Sequence, residues 1–293
     1  MPPLRSFRLL SAVAALAPSV WIAAAGATAD PRDAAGLISH VSERVAAYYQ
    51  RAQGLICTER STVVPLATDG SVPAFARTVE SELRIEVDGW LAPRVTREVQ
   101  RVNGREPRER DRADRSGCTD PTPLAPELLS FLLPGQREGY TFTAVRNGRE
   151  RGRAALAVDF ASVRRSSQPV LVADEYGHDD CFDWTGPIAI RGQLWIDADT
   201  HDVLRLDRYI AGPTDVRVPA RLQTTYRFPP WLTIDRDDLT LRFKAVTFTN
   251  PDETMLLPEA IESRTVVRTG LQSIRRTQVF SDYRRFLTSG RIR

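Results

Sequence analysis

Four carboxylates and one imidazole fall within seven residues at Asp174-Glu175-Tyr176-Gly177-His178-Asp179-Asp180. Oxygen-rich clusters of this kind bind Ca²⁺ or a harder transition metal, which is the basis for reading residues 174–181 as the site of a metal-dependent enzyme. The spacing departs from an EF-hand loop, which places ligands at alternate positions with a fixed Gly and a terminal Glu. A solvated acidic turn accounts for the stretch, and no metal ligand is assigned. The other two histidines have structural explanations: His40 sits on the surface or seam of a helix, and His201 in a hairpin turn. The chain contains no G-x-S-x-G, H-E-x-x-H, C-x-x-C or Gly-rich phosphate loop, the patterns that position nucleophiles, metals and phosphates. No catalytic residue and no cofactor are therefore assigned, and the protein is expected to be non-enzymatic.

Compartment is read from both ends of the cysteine problem. Arg5 and Arg8 precede an apolar run from Leu9 to Ile22, which closes on Ala27-Thr28-Ala29. A basic start, a short apolar run and an A-x-A site make a secretory signal over residues 1–29; Pro18 interrupts the run and argues against a membrane anchor. The mature chain is expected to begin near Asp30 and to be periplasmic or secreted. No later segment reaches the roughly 20 apolar residues that span a bilayer. In an oxidising compartment Cys118 and Cys181, both in polar loop-like stretches, are candidates for a disulfide worth roughly 4 kcal/mol. Absence of a bridge, or a different pairing, remains open. Cys57 follows Leu55-Ile56, a setting that suits a buried free thiol.

Charge excludes one class of partner. The formal net charge is +3, Lys244 is the only lysine, and arginine alternates with acid along the chain, as in Arg108-Glu109-Arg110-Asp111-Arg112. Nucleic-acid binding needs an uncompensated basic face, so it is not expected. The run from Arg97 to Arg115 reads as a solvated hairpin.

The elements that must position any site are mostly strands. Asp33 to Ile56 reads as one amphipathic helix, with Leu37, Val41, Val45, Tyr48 or Tyr49, Ala52 and Ile56 at helical spacing and Gly54 as terminator. After it the period changes to two. Strands are expected at 60–65, 78–88, 95–102, 140–145, 153–160, 239–248, 260–269 and 273–283. Asn103-Gly104 and Asn147-Gly148 are hairpin turns. Pro123 to Pro134 is a mid-chain apolar helix, and the Pro-rich Gly212 to Pro230 a long connection ending at Trp231. The reading is a mainly β (α+β) antiparallel meander in a single domain over residues 30–293.

Gly192 to Leu206, G-Q-L-W-I-D-A-D-T-H-D-V-L-R-L, carries the clearest pattern. Leu194 and Ile196 alternate into a turn of Asp197, Asp199, Thr200 and Asp202, and Val203, Leu204 and Leu206 lead out. This stretch, with Tyr48 to Glu59 and Leu124 to Leu133, resembles the periplasmic lipoprotein-carrier superfamily, which includes the outer-membrane lipoprotein carrier and anti-sigma regulators of the same shape. The resemblance implies a half-open barrel whose helices plug its concave face, and a lipid or acylated protein as partner. On that reading Trp90, Leu128, Leu129, Phe131, Leu132 and Trp195 line a ligand cavity, with Leu128 to Leu133 as a lid; core packing of the same residues is the alternative. A module of the same fold with a packed interior, recognising an envelope protein, is the rival function.

Overall fold

Pro31 can open a helix because its missing N–H would be unpaired there in any case, and the computed structural model shows helix α1 over Pro31–Arg51. The structure describes residues 31–52, 54–67, 76–88, 92–108, 128–163, 168–173, 182–268 and 270–285. The expected export signal over residues 1–29, Trp90, Cys118, Cys181 and the Asp174–Asp180 cluster with His178 lie outside these residues. Ala34, Ile38, Val41 and Val45 are all buried, a stripe at four-three-four spacing that faces the sheet. The helix ends a turn earlier than the sequence pattern predicts. Ala52 N–H donates to Tyr48 O at 2.8 Å, and Gly54, at φ +68°, donates its N–H to Ile85 O. Ile56 belongs to a strand, because from Leu55 onward the chain pairs with a strand on each side.

The strands are β1 (Leu55–Pro65), β2 (Arg77–Asp88), β3 (Ala92–Val102), β4 (Tyr140–Glu150), β5 (Arg153–Ser162), β6 (Val170–Ala173), β7 (Phe182–Thr185), β8 (Ile190–Asp197), β9 (Val203–Ile210), β10 (Thr214–Arg217), β11 (Trp231–Thr249), β12 (Asp252–Val267) and β13 (Ile274–Arg285). They form one sheet in the order β3-β2-β1-β13-β12-β11-β9-β8-β5-β4, with β10 beside β11, then β6 and β7. The β3 and β4 ends do not pair with each other, so the mainly antiparallel sheet is a half-open barrel. The stripe of α1 packs with Leu83, Val158, Leu194, Leu206, Leu241 and Phe280 in the main core. A second apolar cluster forms where β6, β7 and β10 meet helix α2 (Ala220–Tyr226), from Leu171, Val216, Val218, Leu222, Leu232 and Ile234. The segment read as a bare connection thus holds both a strand and a short helix.

Turn chemistry corrects one expectation and supports another. Asn103-Gly104 turns the chain after β3 with φ +50° and +73°, and Asn103 Oδ1 accepts the Thr78 N–H at 2.8 Å. Asn147-Gly148 does not turn. Both lie within β4, opposite Leu156 and Ala155, and the reversal falls at Arg151-Gly152, φ +48° and +85°. Gly148 serves close packing instead: a Cβ there would lie 2.9 Å from Trp195 Cζ3. Of the predicted 123–134 helix, the described part contains a 3₁₀ turn at Ser130–Leu132. Its Phe131 ring lies 4.9 Å from both Tyr140 and Phe160.

Gly192 is the tightest point in this packing. A Cβ would meet Asp207 O at 2.1 Å and Phe160 Cζ at 2.6 Å, and neither the ladder nor the aromatic cluster can give way. Gly192→Ala is expected to destabilise by about 3 kcal/mol, whereas Gly36→Ala, in open space on α1, should stabilise by about 0.5–1 kcal/mol. Urea midpoints of the two variants against the parent check both signs.

Candidate functional site

The end of the long β11–β12 hairpin lies beside the last turns of α1, joined to it where Arg51 meets Glu253 and Thr254. Between them lies a cleft of about 390 Å³, within the size range of small-molecule sites. One wall is α1, through Arg44, Ala47, Tyr48 and Arg51; the floor is Ala245, Met255 and Leu256; Arg153, Thr200 and Asp202 close the far end. Ala245 is exposed although Leu241 and Phe243 before it are buried, because the cleft lies between it and the helix. Inward the cleft adjoins a small apolar space of about 30 Å³ bounded by Val45, Leu129, Val203 and Phe243. Tyr48 stands at the junction, edge-on to Phe243, and its hydroxyl has no hydrogen-bond partner among the described residues.

The rim is built from arginines that acids hold in place. Arg44 forks onto Asp202, Nε to Oδ1 at 2.8 Å and Nη2 to Oδ2 at 3.0 Å. Arg51 donates to Glu253 Oε2 at 3.0 Å and to Thr254 O at 3.1 Å. Arg285 also binds Glu253, and donates to the carbonyl of Arg51 at 2.6 Å. Arg153 pairs with Asp197 at 2.6 Å. A guanidinium has five N–H donors, and these pairs leave some free on each of Arg44, Arg51 and Arg153. The cleft therefore combines an apolar floor with hydrogen-bond donors for a carboxylate or phosphate.

The turn from the 192–206 stretch supplies one end of this rim. Asp197 Oδ1 accepts the N–H of Asp199 at 3.0 Å and of Thr200 at 2.9 Å, and Thr200 Oγ1 donates to Asp202 at 2.9 Å. The local bonds aim Asp202 at Arg44. Beside that pair, His40 and His201 stack with ring centroids 5.4 Å apart, so two histidines distant in sequence share one seam.

A buried polar cluster lies elsewhere in the core. Glu59 accepts from Arg97 at 2.7 Å and from Gln278 at 2.6 Å. Arg97, read as part of a solvated hairpin, instead reaches into the sheet, because the buried Glu59 needs a charged partner. Tyr283 donates to Pro258 O at 2.7 Å, and Lys244 to Phe280 O at 2.9 Å. Burial, then the charge of Glu59, pushes the Cys57 thiol up to about 12. The thiol stays protonated and is no nucleophile. Among the described residues no three metal-type ligands converge, and no helix is long and apolar enough to cross a membrane.

The six residues expected to line a cavity separate. Leu129 lines the inner space. Phe131 and Leu132 are packed in the main core, and Leu128 is half-buried against it. Trp195 alternates with Leu194 and Ile196, both fully buried, and so occupies the opposite face, over Gly148. Trp90 lies outside the described residues. Arg44, Arg51, Arg153, Ala245, Met255 and Leu256 were not singled out from sequence. Arg44 and Arg51, seven apart on α1, carry the one usable signal: a basic stripe beside the apolar one.

No protein-family model matches the chain, and no curated protein matches it in sequence. Among solved structures, the chain is similar to a domain named for outer membrane lipoprotein sorting from Vibrio parahaemolyticus, at 12% identity over 85% of this chain and 93% of that one, TM-score 0.33. It is similar to a DUF1329 family protein from Desulfovibrio piger, at 10% identity over 89% and 96%, TM-score 0.40. A LolA superfamily protein from Nitrosomonas europaea follows at 8% identity over 84% and 93%, TM-score 0.29.

Glu253 anchors two arginines behind the rim. Burial pushes its carboxyl up, but the hydrogen bond from Arg51 and the charge of Arg285 outweigh this and hold it below the usual range. Its contribution to stability is thus complete above the ordinary carboxylate range and is lost as pH falls through the lowered value. The stability difference between parent and Glu253→Gln, from urea midpoints, should be constant from pH 7 to about 5 and shrink below about pH 4.

Proposed function

We propose that this chain is an exported, non-enzymatic binding protein for one amphiphilic, lipid-like ligand, either a free lipid or an acylated protein. The observation that carries the reading is the cleft of about 390 Å³, apolar on its floor and lined with arginine at its rim. The tail lies over Met255 and Leu256 toward Phe243 and Leu129, and the acidic or hydrogen-bond-accepting head meets Arg44, Arg51 and Arg153. Burial supplies the affinity: each methylene removed from water is worth about 0.8 kcal/mol. The rim supplies orientation. The export signal over residues 1–29 and the Cys118–Cys181 pairing belong to the same reading, with a periplasmic or secreted location. Leu128 to Leu133 borders the inner end of the site through Leu129, where a lid would act.

A second reading has one observation in its favour. Away from the cleft, the concave face is filled by α1, with Ile38, Val41 and Val45 at 3% exposure or less. That suits an envelope interaction module working through its outer surface.

Native mass spectrometry of the purified protein, followed by a fluorescent acyl probe, separates the two. The binding protein retains an acyl species or takes up the probe. Ala245→Trp, at an exposed floor position, should then weaken probe binding about tenfold or more without changing the melting temperature, since the indole occupies the space the tail needs. A clean apo mass with no probe uptake would replace this reading with the interaction module.

A further inference from the structure

Arginine in this molecule usually stands beside an acid, and the excursion from β10 to β11 departs from that rule. Arg217 at the end of β10, Arg221 in α2 and Arg227 at its C-terminal cap are all exposed, and none has an acidic partner among the described residues. Trp231 is 45% exposed and sits directly opposite Arg217 in the β10–β11 ladder, where paired side chains stand about 5 Å apart on one face. The one acid of the excursion, Asp215, is engaged by Thr233 Oγ1 at 2.7 Å. The stretch from Gly212 to Trp231 therefore carries three arginines against one aspartate.

The excursion is firmly held. Val218 N–H donates to Pro230 O at 2.9 Å and Arg217 N–H to Pro169 O at 2.9 Å. Its other apolar side chains are spent inward: Val216, Val218 and Leu222 are buried, and Tyr226 and Phe228 pack edge-on to Phe182. Of the large apolar side chains in the excursion Trp231 alone is exposed, opposite Arg217 in the ladder. Among the described residues the other large exposed apolar side chains are Val163 and Val279, neither on β10 or β11. One indole is far too little apolar surface for a protein interface, which buries about 1,200–2,000 Å². It is what a membrane boundary uses: tryptophan settles at headgroup level, and guanidinium pairs with phosphate.

The geometry points to a membrane-docking patch, in which Trp231 with Arg217, Arg221 and Arg227 seats the protein on an anionic phospholipid surface. The patch is separate from the ligand cleft, since Trp231 and Ala245 lie about 45 Å apart measured along β11. Docking there and loading at the cleft are independent properties.

Sedimentation with vesicles tests this. The purified protein should partition onto equal-part phosphatidylglycerol–phosphatidylcholine vesicles and not onto phosphatidylcholine alone, with binding that weakens as salt rises. Arg217→Glu/Arg221→Glu/Arg227→Glu should lower that partitioning about a hundredfold, and Trp231→Ala several-fold, both with unchanged melting temperature. Ala245→Trp should leave it intact, which separates docking from uptake of lipid into the cleft. Absence of vesicle binding at low salt, equal binding by the patch variants, or retention on immobilised polyglutamate without vesicle binding would overturn the proposal; the last would assign the patch to an acidic polypeptide.

Discussion

An open antiparallel sheet has a concave apolar face that something must cover, and α1 is what covers it. Ile38, Val41 and Val45 go from water to complete burial against the strands. At about 1.5–3 kcal/mol per side chain, these three contribute about 5–9 kcal/mol, the scale of a whole domain's net stability. The position of the cleft follows from the same constraint. The last turns of α1 stand off the β11–β12 hairpin and meet it again only through Arg51 and Glu253, so the cleft lies between helix and hairpin.

Polar groups inside this arrangement are paired rather than poised. Glu59, Arg97 and Gln278 form a buried set in which loss of one partner would strand a charge, an event that costs about 3–5 kcal/mol. Lys244 and Tyr283 donate hydrogen bonds to backbone carbonyls. Cys57 is held neutral in their midst. These groups fix how β1, β3 and β13 sit together. The rim arginines Arg44, Arg51 and Arg153 keep spare donors, each oriented by a carboxylate behind it.

Local sequence failed where two local signals competed. Asn147-Gly148 is a strong hairpin signal, yet both residues pair with β5 and the chain turns at Arg151-Gly152, with Gly148 packed beneath the Trp195 ring. Arg97 reads as solvated among charged neighbours, and only the partner strand shows that Glu59 lies buried within its reach. For Arg97 the deciding contact comes from a residue 38 positions away in sequence.

The sequence by itself determined the period of each element: one amphipathic helix, then alternating strands with an Asp-rich turn at 197–202. It could do so because hydrophobic spacing and side-chain-to-backbone bonds are local properties. Only the tertiary structure decided where a cleft opens between α1 and the β11–β12 hairpin. Arg44 and Asp202 are 158 residues apart, and Arg51 and Glu253 are 202 apart. Their meeting depends on how α1 is laid against the β8–β9 turn and the β11–β12 hairpin, a relation that no window of sequence contains.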